Sequence, residues 1–354
     1  MGLDEKNDSL PKVLWVSPFL SRKGEEAFNL SFKRNMKKVA ILARNYTDQP
    51  SRRLLTEAGF QILPQPAAEL GVGAGGEQLL PFVQDADAVI AGLESYSADL
   101  LEKCPNLKLI SRRGIGYDSV DVAACRRLGI AVARTVGQVE GAVAEHLMAL
   151  LLHFARSIQR ENEQMHRGIW DRKMSLGAKN RTLGLVGFGG IGKELARRAR
   201  AFDMRILYTC RHPDPKWADA YGVQYAPLDE LLRESDFVSV CVPLTAETEG
   251  MFNQDRFRQM KPGSYFLNAA RSPIMDAMAL KAAVESGHLG GAAVDVFPYE
   301  PCTDSPLVGV KNIVLTPHTA PFTTENFLQM NRAAAQNVID HFSGTLPPAC
   351  YLVH

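Results

Sequence analysis

"LGLVGFGGIGKELARRARAF", residues 183–202, is highly informative about the fold, because an apolar strand-like run leads through "GFGGIG" into a helical stretch. In this strand–turn–helix setting, the glycine spacing indicates a dinucleotide-binding turn. Gly187 allows the tight turn, Gly189 lets the backbone approach a pyrophosphate, and Gly192 lets helix and strand pack closely. A glycine-rich turn that only packs is the alternative interpretation.

The helix that starts at this turn presents its first amides, those of Gly190 and Ile191, where the helix dipole favours phosphate. The next strand ends at "YTCRH", about 20 residues on, where an acidic residue that bonds a ribose 2′-hydroxyl is expected. Cys210 accepts such bonds poorly, whereas Arg211 and His212 can meet a 2′-phosphate. The sequence therefore favours NADP over NAD, and an exposed arginine beside an NAD site is the alternative.

Short apolar, β-branched runs alternate with helical stretches on both sides of this turn, which is typical of α/β folds with doubly wound parallel sheets. One long helix is expected from Glu140 to about Arg167, and another over residues 325–344, capped by Gly344. Strands are expected at residues 38–43, 88–92, 107–111, 130–133, 183–188, 205–209, 237–242, 265–270, 292–297 and 313–317.

Composition excludes several classes of function. The net charge of +1 gives no reason to expect a nucleic-acid partner. No run is long and apolar enough to cross a bilayer, and the N-terminus lacks the pattern of a signal peptide. The six cysteines contain no CxxC pair, which argues against a metal site or a disulfide framework. We therefore expect a metal-free, cytoplasmic protein.

Three charged side chains follow predicted strand ends, at Arg271, Glu300 and His318. Ligands of open parallel sheets bind outside the carboxyl ends of the strands, so the three should converge beside the dinucleotide. An arginine can hold a substrate carboxylate, and a histidine can give or take a proton as hydride moves. A carboxylate beside that histidine fixes its orientation. Each residue alone could be an ordinary loop or surface residue, but the three together predict a catalytic site.

The chain resembles the D-isomer-specific 2-hydroxyacid dehydrogenases over roughly residues 37–350. The resemblance rests on motifs in order, namely "RRGIGYDSVD", "VAEH", "GFGGIG", "VPLTAET", "MKPGSYFLNAARSPIMD", "GAAVDVFPYEP" and "TPHTA". It implies two Rossmann-like domains, the cofactor domain being inserted into a flavodoxin-like substrate domain. The expected boundaries are an N-terminal extension at 1–35, a substrate domain at 36–137 plus 322–354, and a dinucleotide domain at 138–321.

The resemblance also implies roles for single residues. Arg271, Glu300 and His318 match the catalytic residues of that family, and Asp295 would lie near the nicotinamide carboxamide. The backbone around Val242, Pro243 and Ala269 would line the cofactor. The substrate carboxylate would meet the loop made of Arg113, Gly114, Ile115 and Gly116, together with Arg271. A homodimer is expected, with the helix after residue 140 in the interface.

Two departures from the family pattern bear on the substrate. Pro321 follows "HTA", which reshapes the rim of the site, and Arg113 adds a charge that suits a second acidic group or only faces solvent. The favoured function is NADPH-dependent reduction of a small 2-oxoacid such as glyoxylate or hydroxypyruvate. The alternatives are an NAD-dependent D-3-phosphoglycerate dehydrogenase and a dinucleotide-sensing, corepressor-like binding protein.

Overall fold

Two parallel sheets built from separate sets of strands form the fold. The structure, a computed structural model, describes residues 36–43, 46, 48–66 and 73–353. The expected N-terminal extension, residues 1–35, lies outside the described residues.

The first sheet takes its strands from the first part of the chain. They run in the order β2-β1-β3-β4-β5, all parallel, which is the flavodoxin-like arrangement. The central strands β3 and β4 are buried at every position, which explains their continuous apolar runs. The strands are β1 (Lys38–Ile41), β2 (Gln61–Ile62), β3 (Ala88–Ala91), β4 (Leu109–Arg112) and β5 (Ala131–Arg134). The helices are α1 (Gln49–Glu57), α2 (Leu80–Val83), α3 (Ala98–Leu101) and α4 (Val122–Leu128), with a 3₁₀ turn at Gly76–Gln78.

Two helices, α5 (Glu140–Arg156) and α6 (Ile158–His166), link the first sheet to the second. The prediction of a single helix over this stretch is wrong. Ser157 adopts a left-handed backbone, with φ of 52°, and ends α5. The buried side chains of α5 pack in the same apolar cluster as strand residues of the second sheet.

The second sheet carries the glycine turn. Its strands run in the order β8-β7-β6-β9-β10-β11-β12, all parallel, which is the Rossmann arrangement with one strand added. Its strand order reverses between β6 and β9, so the loops after these strands lie side by side. The strands are β6 (Thr182–Val186), β7 (Arg205–Thr209), β8 (Gln224–Tyr225), β9 (Phe237–Val240), β10 (Tyr265–Asn268), β11 (Gly291–Val294) and β12 (Ile313–Leu315). The helices are α7 (Gly190–Arg200), α8 (Lys216–Tyr221), α9 (Leu228–Glu234), α10 (Gln254–Gln259) and α11 (Ala277–Glu285), with a 3₁₀ turn at Ser272–Ile274.

The chain then returns to the first sheet through α12 (Thr324–Ser343). Thr323 caps its N-terminus by accepting from the Asn326 amide, and Gly344 ends it with φ of 74°, as predicted. After a 3₁₀ turn at Pro348–Cys350, strand β13 (Tyr351–Val353) pairs antiparallel with β5. The predicted fold class is confirmed, whereas this antiparallel edge strand was not predicted. The domain boundaries given above stay a prediction.

No helix among the residues described above combines the length and the apolar character that a bilayer crossing requires.

Candidate active site

A cleft of roughly 560 Å³ collects the carboxyl ends of strands from both sheets. Its walls from the first sheet are the loops after β3, β4 and β5, and its walls from the second are the loops after β6, β9, β10, β11 and β12. This is where open parallel sheets bind ligands. Its volume suits a small molecule. The predicted residues Arg271, Glu300 and His318 all line it.

Glu300 and His318 form a directly bonded pair. The His318 Nδ1 atom lies 2.7 and 2.9 Å from the two Glu300 carboxylate oxygens. The Glu300 carboxylate is itself fixed, because Oε1 accepts from the Phe297 amide at 3.2 Å. With Nδ1 held by the carboxylate, Nε2 is the ring nitrogen left for a molecule in the cleft.

The loop that carries His318 is anchored on Asp295. This carboxylate is fully buried and accepts from the Thr316 hydroxyl at 2.6 Å and from the amides of Thr319 and Ala320 at 2.8 and 2.9 Å. The hydrogen-bond donors to this carboxylate are thus in the His318 loop, while His146 Nε2 lies 3.8 Å from Oδ1. The predicted role of Asp295 near the carboxamide stays a prediction. Sequence reasoning missed this anchoring, although a carboxylate at a strand end is a usual acceptor for loop amides.

Arg271 reaches across the cleft to the first sheet. Its Nε donates to Asp118, and its Nη1 donates to the Ala270 carbonyl at 2.7 Å. The guanidinium lies against Gly116 so closely that a Cβ there would fall 1.6 Å from Nη2. Only glycine therefore admits this contact. Asp118 belongs to the quoted "RRGIGYDSVD" motif, but sequence reasoning assigned it no role.

The loop after β4 carries two neighbouring arginines with different surroundings. Arg112 is buried and donates to the carbonyls of Ala91 and Gly116, both at 2.9 Å, and burial lowers its pKa. Burial also lowers the pKa of Arg113, to about 10, so its guanidinium stays charged near neutrality. The Gly114 amide already donates to the Thr135 hydroxyl at 2.8 Å. Within the described part of the chain no acceptor is bonded to the amides of Ile115 and Gly116, which leaves these two predicted donors for a ligand.

The glycine turn after β6 fits a dinucleotide pyrophosphate. A Cβ at Gly187, whose φ is 103°, would lie 2.6 Å from the Cys241 carbonyl oxygen, and one at Gly192 would lie 2.6 Å from the Gly187 oxygen. Gly189 is exposed, and a Cβ there would meet nothing within 4 Å. No side chain caps α7, so its first amides, at Gly190 and Ile191, remain for an anion. The cleft is also lined by the turn from Gly189 to Ile191 and by Val242, Pro243 and Ala269.

Arg211 and His212 lie exposed just beyond β7, the strand next to β6. Neither residue forms part of the cleft wall, and neither forms an ion pair with any other residue that the structure describes. Arg211 lies near the exposed Glu247 carboxylate. The pKa of Glu247 is lowered first by a hydrogen bond from the Thr245 side chain, and also by Arg211.

Comparison with known proteins shows what this chain is similar to. A family described as "D-isomer specific 2-hydroxyacid dehydrogenase, NAD binding domain" matches residues 148–320. A glyoxylate reductase of Pyrococcus furiosus is 38% identical over 282 residues, which cover 77% of this chain and 84% of that protein. The glyoxylate/hydroxypyruvate reductase B of Shigella boydii is 37% identical over 285 residues, covering 78% and 88%. A crystal structure of a Thermus thermophilus protein superposes with a TM-score of 0.80 at 33% identity, covering 89% of this chain and 100% of that one.

Proposed function

Because this chain belongs to the D-isomer specific 2-hydroxyacid dehydrogenase family, we propose that it reduces a small 2-oxoacid such as glyoxylate or hydroxypyruvate, with NADPH as reductant. It is an oxidoreductase that uses a nicotinamide dinucleotide. The observation that carries the proposal is the Glu300–His318 pair, which shares one cleft with Arg271 and with the open glycine turn.

Each side chain of the cleft has its own role in the proposed reduction. When bound, the nicotinamide supplies the hydride that reaches the C2 carbonyl. Arg271 binds the substrate carboxylate and polarises the adjacent carbonyl, while the amides of Ile115 and Gly116 complete the carboxylate site. His318 delivers a proton to the carbonyl oxygen from Nε2, and Glu300 stabilises the imidazolium through Nδ1. Asp295 keeps the His318 loop in place.

The preference for NADPH is part of the same proposal. Arg211 follows β7 and has no ion-pair partner within the described residues, so a 2′-phosphate would gain a charge-assisted bond there. Cys210 takes the place where a carboxylate would repel that phosphate. His212 is the second donor on this edge.

The test is a spectrophotometric assay of the purified protein with glyoxylate, hydroxypyruvate and pyruvate, each against NADPH and NADH. We expect faster oxidation of NADPH, and an Arg211→Asp variant that loses this activity while it keeps or gains activity with NADH. Arg233→Asp, an exposed arginine on α9, is the matched control and should behave like the parent.

Two results would count against the proposal. Equal rates with NADH and NADPH would remove the assigned role of Arg211 and leave the reductase assignment intact. Dinucleotide binding without reduction of any of the three acids would rule these three out as substrates, and failure with every 2-oxoacid tested would remove the reductase assignment itself.

A further inference from the structure

Arg113 is a half-buried residue of the cleft wall, and most of its hydrogen-bonding capacity is unused. Its guanidinium carbon lies 4.3 Å above the Phe327 ring, and Nη1 donates to Asn331 Oδ1 at 3.2 Å. Its Nε is buried without an acceptor. A guanidinium has five N–H donors, and buried donors are nearly always bonded. Among the described residues no acceptor is bonded to Arg113 Nε, which leaves this donor for a ligand.

No carboxylate of the described residues approaches within ion-pair distance of Arg113. Glu94 and Asp48 favour its charged form from farther away, and Arg112 opposes it. Glu94 is buried and accepts instead from the Gly92 amide at 2.7 Å. The nearest acids are thus committed elsewhere, whereas Arg113 itself lines the cleft.

The contacts behind Arg113 hold it in one position. Asn331 donates from Nδ2 to Asp48 at 2.7 Å, so its amide oxygen is turned toward Arg113. Tyr46 donates to the Asn331 carbonyl at 2.9 Å and fixes the same segment of α12. Because Asn331 and Tyr46 are buried, the Arg113 side chain is already held in place before a ligand binds.

The aromatic wall beside Arg113 continues into the loop that carries His318. The Phe327 and Phe322 rings pack in a tilted arrangement with centroids 5.3 Å apart, and Phe322 follows Pro321 directly. Arg113 and Arg271 are both tied to one short loop, since Arg271 lies against Gly116, three residues further on. Three residues span at most about 11 Å, so the Cα atoms of Arg113 and Gly116 lie within that distance of each other.

We propose that the preferred substrate of this enzyme is a 2-oxoacid with a second anionic group, a carboxylate or a phosphate, which Arg113 binds. The inference rests on the proposed reductase function and deepens it. Arg271 takes the carboxylate next to the reacting carbonyl, and Arg113 takes the distal anion in a planar, bidentate contact. Phe327 covers one side of the guanidinium through a cation–π contact.

The test compares pairs of 2-oxoacids that differ only in the distal group. The pairs are oxaloacetate with 2-oxobutyrate, 2-oxoglutarate with 2-oxovalerate, and 3-phosphohydroxypyruvate with hydroxypyruvate. A charge-assisted bond contributes enough for kcat/KM to favour the doubly charged member of at least one pair by about 10- to 100-fold. A preference confined to the phosphate pair, or to the dicarboxylates, identifies which anion is bound.

Variants locate the contact. Arg113→Met should reduce the preference to near unity, and Arg113→Lys should keep part of it. Arg126→Met, an exposed arginine on α4, is the matched control. Arg134→Met tests the other arginine of this wall whose Nε is buried without an acceptor. Thermal unfolding and dinucleotide binding of each variant separate a lost contact from a lost fold.

The possible results distinguish a failure of this inference from a failure of the proposed function. If the parent reduces glyoxylate but prefers no doubly charged acid, the inference is wrong and the proposed function stands. If the parent reduces no 2-oxoacid at all, the proposed function fails, and the inference with it. If Arg134→Met removes the preference and Arg113→Met does not, the assignment to Arg113 is wrong.

Discussion

At the scale of single residues, the Glu300–His318 pair determines which ring nitrogen can act on a substrate. We predict that His318→Gln lowers kcat by about 10²- to 10⁴-fold, because the positioned proton donor is lost. The glycine turn does not depend on this residue, so the dissociation constant of the dinucleotide should change little. Stopped-flow rates and a fluorescence titration measure the two effects. A comparable loss of dinucleotide affinity would point to a distorted cleft.

Asp118 is a positioning residue for Arg271 that sequence reasoning did not identify. We predict that Asp118→Ala lowers kcat/KM by about 10-fold or more, since Arg271 Nε loses its charged acceptor. Asp118→Asn keeps an acceptor and removes a negative charge near the substrate carboxylate. It should retain most of the activity, with an unchanged or lower KM.

The comparison of the two Asp118 variants is informative because the ion pair is partly exposed and adds little to stability. Equal losses in both variants would mean that the charge of Asp118, and not its acceptor geometry, matters. Similar unfolding midpoints for parent and variants would confirm that the fold is unaffected.

Arg271, Glu300 and His318 were predictable because each follows a strand end, and parallel strands end at one edge of a sheet. The contact between Asp118 and Arg271 was not predictable, since it joins residues 153 positions apart, in loops that follow strands of two different sheets. No local pattern encodes such a distance. The surroundings of the Arg113 guanidinium were not predictable for the same reason. The residues that contact it, Phe327 and Asn331, lie on α12, far along the chain.

At the scale of elements, the glycines of the turn between β6 and α7 have two different roles, close packing of helix on strand and close approach of the pyrophosphate. We predict that Gly192→Ala destabilises the protein by about 1–3 kcal/mol, because its Cβ would press on the Gly187 carbonyl. Gly189→Ala should leave stability unchanged, since a Cβ there meets only open space. That methyl group would stand where the pyrophosphate approaches, so dinucleotide affinity should fall by about 10-fold or more.

Chemical denaturation and dinucleotide titration distinguish these two effects. A stable Gly189→Ala protein with parental affinity would place the pyrophosphate elsewhere. A Gly192→Ala protein with parental stability would show that helix and strand can separate without cost.

The strands of both sheets were predictable to within a few residues, because buried parallel strands give continuous apolar runs. The short strands β2, β8 and β13 were missed, since two or three residues carry no periodicity. The break between α5 and α6 was missed because Ser157, which is neither glycine nor proline, adopts the left-handed conformation.

At the scale of the whole molecule, an exposed apolar surface follows the connection between the sheets. Trp170 is 78% exposed and Met174 is 99% exposed, with Ile158 and Met165 exposed nearby in sequence. Isolated apolar side chains on a surface are ordinary, but a cluster marks an interface. We predict a homodimer that light scattering after gel filtration detects. Replacing Trp170 and Met174 by serine should yield monomers.

The control for this prediction is Met278→Gln, because Met278 is also exposed but lies on α11. This variant should elute like the parent. A parent protein that is monomeric at micromolar concentration would contradict the prediction.

The return of the chain to the first sheet has a consequence for biosynthesis. Strands β6 to β12 are contiguous in sequence, so the dinucleotide-binding sheet can form once they have left the ribosome. The first sheet is made earlier but must wait for α12, whose residues Ala334, Ala335 and Val338 fill its apolar core, and for β13. The half that is translated first is therefore the half that is completed last, and until then the face of its sheet that α12 covers is exposed to water.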